Sequence, residues 1–98
     1  MTLEIARIDI LEGRGDAFEA AAREAVALFA SAEGCSGMKI LRSHEVDNRY
    51  WLLVDWRDVA AHEAFRSTGG FAQWRDLVGS YFAGPPMVEH GQPVGIGL

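Results

Sequence analysis

The chain has 98 residues, 49% hydrophobic and 23% charged, the balance of a folded globule rather than a disordered segment. Nine basic against fourteen acidic side chains give a net charge of −5, and the one lysine, Lys39, leaves no basic stripe for nucleic acid or an anionic membrane surface. A lone cysteine, Cys35, excludes an internal disulfide and a multi-cysteine metal site, and no apolar run approaches the roughly 18 residues that cross a bilayer.

We expect one domain over residues 1–98, because two would each be too small to bury a core. The start, Met1-Thr2-Leu3-Glu4, lacks the basic and apolar blocks of a signal peptide, so a cytoplasmic location is expected. The tail after about residue 91 carries Gly91, Gly95 and Gly97 and is expected to be irregular.

Leu3 to Leu11 reads as a strand, with Leu3, Ile5, Arg7 and Asp9 on one face and Ala6, Ile8 and Ile10 on the other. Gly13-Arg14-Gly15 breaks it, and Asp16 is placed to cap a helix. That helix runs to about Ala32. Phe18, Ala21, Ala22, Ala25, Val26, Leu28, Phe29 and Ala32 recur along one side, and Gly34 suits the stop.

Met38 to Ser43 reads as a weaker strand, Glu45 to Asn48 as a turn, and Tyr50 to Trp56 as the clearest strand. Asp58 caps a second helix over Val59 to Thr68, which Gly69-Gly70 ends. A short third helix carries Phe71, Trp74, Leu77, Val78 and Tyr81 until Pro85-Pro86 stops it. Met87 to Val94 makes a last strand, with Pro93 at an edge. The order β-α-β-β-α-α-β is that of an α+β, ferredoxin-like fold: a four-stranded antiparallel sheet with helices on one face.

One strand breaks the expected alternation. Tyr50, Leu52, Val54 and Trp56 are apolar on one face, and Trp51 and Leu53 are apolar on the other. With helices on one side only, that second face needs a cover. A second subunit packed sheet to sheet supplies one, with a bound apolar ligand filling any remainder. The C-terminal tail folding back is the alternative.

Several landmarks stand in order along the chain. Gly13 follows strand one. Gly34-Cys35-Ser36-Gly37 opens strand two. Trp56-Arg57-Asp58-Val59-Ala60-Ala61-His62-Glu63-Ala64-Phe65 joins strand three to a helix, Phe71 opens helix three, and Val88-Glu89-His90 lies in the last strand. From about Ile5 to His90 this resembles the antibiotic biosynthesis monooxygenase family. The resemblance implies a homodimeric α/β barrel with a pocket in each subunit between sheet and helices. It also implies oxidation of a small anthrone- or hydroquinone-like aromatic by dioxygen with no cofactor and no metal. The substrate supplies the electrons there, and the protein supplies orientation, proton transfer and charge stabilisation.

Carried over residue by residue, the resemblance points to three catalytic candidates. Trp56 matches the family's tryptophan and could stack on a flat substrate and donate one hydrogen bond; the plain alternative is a core aromatic. His62 stands where anthrone-oxygenase-like members carry a tyrosine, and could accept a proton. Otherwise it is a surface histidine between Asp58 and Arg66. Arg75 stands where those members carry a functional arginine and could hold a phenolate or an oxygen-derived anion; otherwise it is a solvated charge. Tyr50, Leu52, Trp74 and Tyr81 are the candidate substrate-binding residues, although the two tyrosines also fit the core.

Two departures stand out. Leu52 occupies the place of the family's substrate-positioning asparagine. Arg75 replaces the ligating histidine of the haem-degrading branch, and Ala6 replaces that branch's strand-one asparagine. Haem degradation is therefore not expected. His44 and His90 lie near strand ends and read as exposed, and the three histidines show no metal-ligand spacing. Three functions stay open: a cofactor-independent oxygenase, a non-catalytic dimer that binds a small ligand, or haem binding without turnover.

Overall fold

The computed structural model describes residues 1–98. Its elements are β1 (Thr2–Asp9), α1 (Gly15–Ala30), β2 (Cys35–Arg42), β3 (Arg49–Trp56), α2 (Val59–Phe65), α3 (Gly69–Val78), a 3-10 turn (Gly79–Tyr81) and β4 (Met87–Gly91). The four strands form one antiparallel sheet in the order β2-β3-β1-β4, with helices on one face, the expected α+β ferredoxin-like arrangement. No helix is long and apolar enough to cross a membrane.

Register decides which side chains share the covered face. β1 pairs Thr2 with Trp56, Glu4 with Val54, Ala6 with Leu52 and Ile8 with Tyr50. On its other edge β1 pairs Glu4 with His90 and Ala6 with Val88. Directly paired residues point to the same side. The helices therefore cover Thr2, Glu4, Ala6, Ile8, Tyr50, Leu52, Val54 and Trp56, all buried. Phe18, Ala22, Ala25 and Phe29 of α1 and Trp74 and Val78 of α3 close the core from above.

The ends of several elements differ from expectation. Asp16 does not cap α1. The helix starts two residues earlier, behind Arg14, because the turn at Leu11–Arg14 already curls the chain into it; Asp16 sits in the first turn. β2 begins at Cys35, not Met38, because Cys35 and Gly37 pair with Trp56 and Asp55 around an irregularity. Gly37 leaves room there for the Asp55 carboxylate, since a Cβ would sit 2.7 Å from Asp55 Oδ2 and turn that side chain aside. Asp58 does cap α2, accepting from Ala61 N–H at 2.8 Å. The helix ends at Phe65 rather than Thr68, because the Thr68 side chain turns to cap α3 by accepting from Phe71 N–H at 3.3 Å. Gly69-Gly70 thus opens the third helix rather than closing the second. β4 stops at Gly91, short of Val94.

On the uncovered face, Leu3, Ile5, Trp51 and Leu53 are half-buried and Leu41 and Met87 exposed. Arg49 donates from Nε to Asp9 Oδ1 at 2.8 Å along the same face. The tail does not supply a cover: residues 92–98 are all exposed.

Candidate functional site

Glu4 is a charged residue in the apolar row of β1, 4% exposed. It persists there because two donors reach the same oxygen. Trp56 at the end of β3 donates from Nε1–H to Glu4 Oε1 at 2.9 Å. His62 of α2 brings Nε2 to 3.2 Å from that oxygen and stacks on the Trp56 ring, at 5.1 Å between centroids and 14° between planes. The other nitrogen of His62, Nδ1, lies 2.7 Å from His90 Nε2 on β4. One chain of contacts thus runs Trp56–Glu4–His62–His90 from the core to an exposed strand edge.

Burial, with the His90 and Arg66 charges, depresses His62 to about 4, so its ring is neutral at pH 7. Beside an ionised Glu4, the proton of neutral His62 then belongs on Nε2. Its bare Nδ1 accepts from His90 Nε2–H. Burial pushes the Glu4 carboxyl above its usual value, opposed by the Trp56 hydrogen bond and the Arg66 charge. Both protein donors use Oε1. Oε2 has no protein partner, yet the sole sealed-off side-chain polar atom lacking one is Arg7 Nε, so Oε2 keeps some open space.

Glu4 also lines a cavity of about 380 Å³. Glu4, Ala6, Ile8 and Leu52 form its sheet wall, His62 and Arg66 stand at α2, Phe71, Trp74 and Arg75 at α3, and Phe82, Pro85, Pro86 and Val88 along the return to β4. The volume suits a small aromatic molecule, and the lining is apolar with a few convergent polar groups. Neither Arg66 nor Arg75 has a carboxylate partner in the chain. Arg75 lies over the Phe82 ring at 6.0 Å.

The structure therefore gathers His62, Arg75, Leu52 and Trp74 around one cavity. Trp56 is 0% exposed and lies behind the lining, reaching the cavity through Glu4 and His62. The two tyrosines lie elsewhere. Tyr50 borders a separate groove between α1 and β2, where its hydroxyl donates to Glu19 Oε2 at 2.6 Å. Tyr81 stacks under Arg14, whose guanidinium carbon is 5.2 Å from the ring centre. His62 is not the surface histidine that its i±4 neighbours suggest: it is 5% exposed. No group of three or more His, Cys, Asp or Glu side chains is arranged to hold a metal ion.

Comparison with known proteins fits this geometry. Residues 1–77 match the family model for antibiotic biosynthesis monooxygenase. The chain belongs to the antibiotic biosynthesis monooxygenase family. It is 32% identical over 95 residues, 96% of this chain and 100% of the relative, to the uncharacterized protein YczJ of Bacillus subtilis. A crystal structure from Bordetella bronchiseptica, provisionally assigned to the same family, superposes with a TM-score of 0.92 at 46% identity, covering 95% of this chain and 96% of the other. SnoaB, a cofactor-independent oxygenase from Streptomyces nogalater, shares the fold at a TM-score of 0.79 and 18% identity, covering 97% and 94%.

Two participants in this family member's cluster escape the sequence reading. Glu4 had a visible signal: counting back by two from Ile8 and Ala6 puts a carboxylate on the buried face. His90 had none, because only the β1–β4 register sets it beside Glu4 and within reach of His62.

Proposed function

We propose that this family member is a cofactor-independent monooxygenase that oxidises a small anthrone- or hydroquinone-like aromatic with dioxygen in the cavity beside His62. The observation that supports it most is the convergence of a buried, hydrogen-bonded titratable cluster and an unpaired arginine on one apolar cavity of aromatic size. Perturbed titratable groups in such a cavity mark functional sites more often than scaffold.

For an anthrone-like substrate the atoms balance without a further reductant. The ring methylene loses a proton, and the resulting anion passes electrons to dioxygen as a C–O bond forms. The peroxide then breaks at O–O. One oxygen stays as the new carbonyl, and the other leaves as water with the two hydrogens that the carbon has lost. In this scheme Trp74, Phe71 and Leu52 sandwich the ring. Arg75 holds the developing oxyanion with a charge that no carboxylate of the chain offsets. Trp56 acts from behind by fixing the polar cluster.

The active unit in this reading is a homodimer joined through the uncovered sheet face, where Trp51, Leu53, Ile5 and Leu3 are half-buried. The proposed dimer is cytoplasmic, and its partner is a small aromatic rather than nucleic acid or membrane.

A second reading has one observation in its favour. Leu52 is 3% exposed and offers no polar atom where the family asparagine would hold substrate oxygens. A non-catalytic dimer that binds a small aromatic fits that loss. Oxygen consumption by metal-free protein against a panel of anthrones and hydroquinones separates the two. Uptake that falls in Arg75→Ala supports the oxygenase. Ligand-dependent stabilisation with no uptake on any compound supports the binder.

A further inference from the structure

Among the polar groups on the cavity, neither the sequence nor the oxygenase scheme has given Glu4 a role. It is the one carboxylate in the lining, and its Oε2 is free of protein hydrogen bonds. His62 is less suited to take a proton, because both its nitrogens are engaged, Nε2 with Glu4 and Nδ1 with His90. We propose that Glu4 is the proton acceptor of the cavity, and that His62 and His90 are positioning residues that hold it in its accepting form. The inference rests on the oxygenase reading for its place in a reaction, though the proton transfer can be measured without oxygen.

The step is simple to write. A C–H or O–H bond of the bound aromatic breaks, its electron pair stays on the substrate, and the proton bonds to Glu4 Oε2. Glu4 becomes neutral. After C–O bond formation it returns the proton to the distal peroxide oxygen; as O–O breaks and the carbonyl forms, that oxygen leaves as water with the remaining hydrogen of the oxidised carbon.

Geometry assigns each neighbour a part. Trp56 N–H and His62 Nε2–H hold Oε1, so the carboxylate cannot turn away from the cavity. His90 Nε2–H fills His62 Nδ1 and so keeps the His62 proton on Nε2, facing Glu4. The charged and titratable groups around Glu4 are His62 and Arg66 at α2, Arg75 on α3, His90 on β4 and Cys35 on β2. Burial raises the carboxyl above its usual value, which makes it a better proton acceptor, and the Trp56 hydrogen bond and the Arg66 charge oppose that rise.

The test is exchange of the anthrone ring methylene in D2O under argon, followed by NMR. Wild type should exceed buffer alone. Glu4→Gln, which keeps the size and can still accept from Trp56, should lose roughly 100-fold or more. Glu4→Asp, which withdraws the carboxylate by one methylene, should fall between the two. Glu19→Gln, at the far end of the sheet, should match wild type. His90→Asn should leave exchange measurable but move the midpoint of its acid limb to higher pH. Without His90, His62 can turn a bare Nε2 toward Glu4 and favour the protonated carboxyl.

A wild-type rate in Glu4→Gln, or a wild type no faster than buffer, overturns the assignment. Should Glu4→Gln fail to fold, an unaltered rate in Glu4→Asp overturns it instead. An unmoved midpoint in His90→Asn overturns the positioning role of His90. Exchange that depends on Glu4 without oxygen uptake in air supports the assignment while contradicting the oxygenase. Uptake with no sensitivity to Glu4 does the reverse.

Discussion

The buried row of β3 has an aromatic hydrogen-bond donor at each end, and each donor meets a carboxylate. At one end the Tyr50 hydroxyl donates to Glu19; at the other the Trp56 indole donates to Glu4. The resemblance stops there. Glu19 also has Arg42 at 3.5 Å and Arg23 at 3.9 Å and lies on the rim of α1, so its charge is offset and water is close. Burial and the Glu19 contact raise the Tyr50 hydroxyl to about 12, which keeps it a neutral donor at any working pH. Glu4 has no arginine in contact. Its second partner is a neutral histidine, its Oε2 has no protein partner, and the residue lines a cavity. A fully satisfied carboxylate is scaffold, whereas a buried one with spare accepting capacity is equipped for chemistry.

Four measurements sharpen or break this contrast. The largest effect should be pH-dependent stability at the Trp56 end. His62 is depressed from 6.5 to about 4 on folding, so its contribution is present above pH 6.5 and is lost as pH falls toward 4. Glu4, shifted upward, works in the opposite sense: its protonation as pH falls favours the folded state, which offsets part of the loss. Urea unfolding at pH 7 and pH 5 should show roughly 1–3 kcal/mol lost in wild type and a flatter profile in His62→Gln. An equal slope in both proteins would assign the effect elsewhere.

Next, Trp56→Phe removes the indole donor and leaves a void in the core. It should cost about 2 kcal/mol of unfolding free energy by denaturant titration. Losing that donor also removes a brake on the upward shift of Glu4, so the acid limb of any Glu4-dependent activity should move to higher pH. A stability loss with no such movement would make Trp56 purely a packing residue.

Arg75→Ala should weaken aromatic-anion binding about tenfold by titration, equivalent to ~1.4 kcal/mol. It should leave stability nearly unchanged, because the side chain has no ion-pair partner to lose. Unchanged affinity would remove Arg75 from the site. The smallest effect belongs to the Tyr50 end: Tyr50→Phe should cost about 1 kcal/mol for one hydrogen bond and leave ligand binding untouched. Altered binding there would make the α1–β2 groove a second site.

Most of the fold could be read from the sequence because its main signals are local. Alternation in 3–11, the apolar run 50–56 and helical spacing in 18–32 specify elements that the structure contains, and Phe18, Ala22, Ala25 and Phe29 of the helical stripe are buried as expected. The ends were harder. Gly69-Gly70 looks like a stop, but Thr68 accepts from Phe71 N–H and converts it into a start, a choice made by one hydrogen bond. Val26 fits the helical stripe of α1 but is 48% exposed, lining the α1–β2 groove.

For the site, the resemblance could name His62, Arg75, Leu52 and Trp74, and the fold then brings them to one cavity. Tyr50 and Tyr81 share their apolar spacing, yet both point away, since spacing reports burial and not which cavity a side chain reaches. Glu4 could be inferred from alternation, but its importance depends on Trp56 and His62 reaching it from 52 and 58 positions away in sequence. Such pairings are set by register and helix placement, which a single sequence does not print.

The most direct test of the contrast is oxygen uptake by metal-free protein on an anthrone, with Glu4→Gln and Glu19→Gln beside wild type. The account predicts that uptake collapses in Glu4→Gln and stays within about twofold of wild type in Glu19→Gln, within the scatter expected of a surface change. Equal rates in all three proteins, or a loss confined to Glu19→Gln, would contradict it.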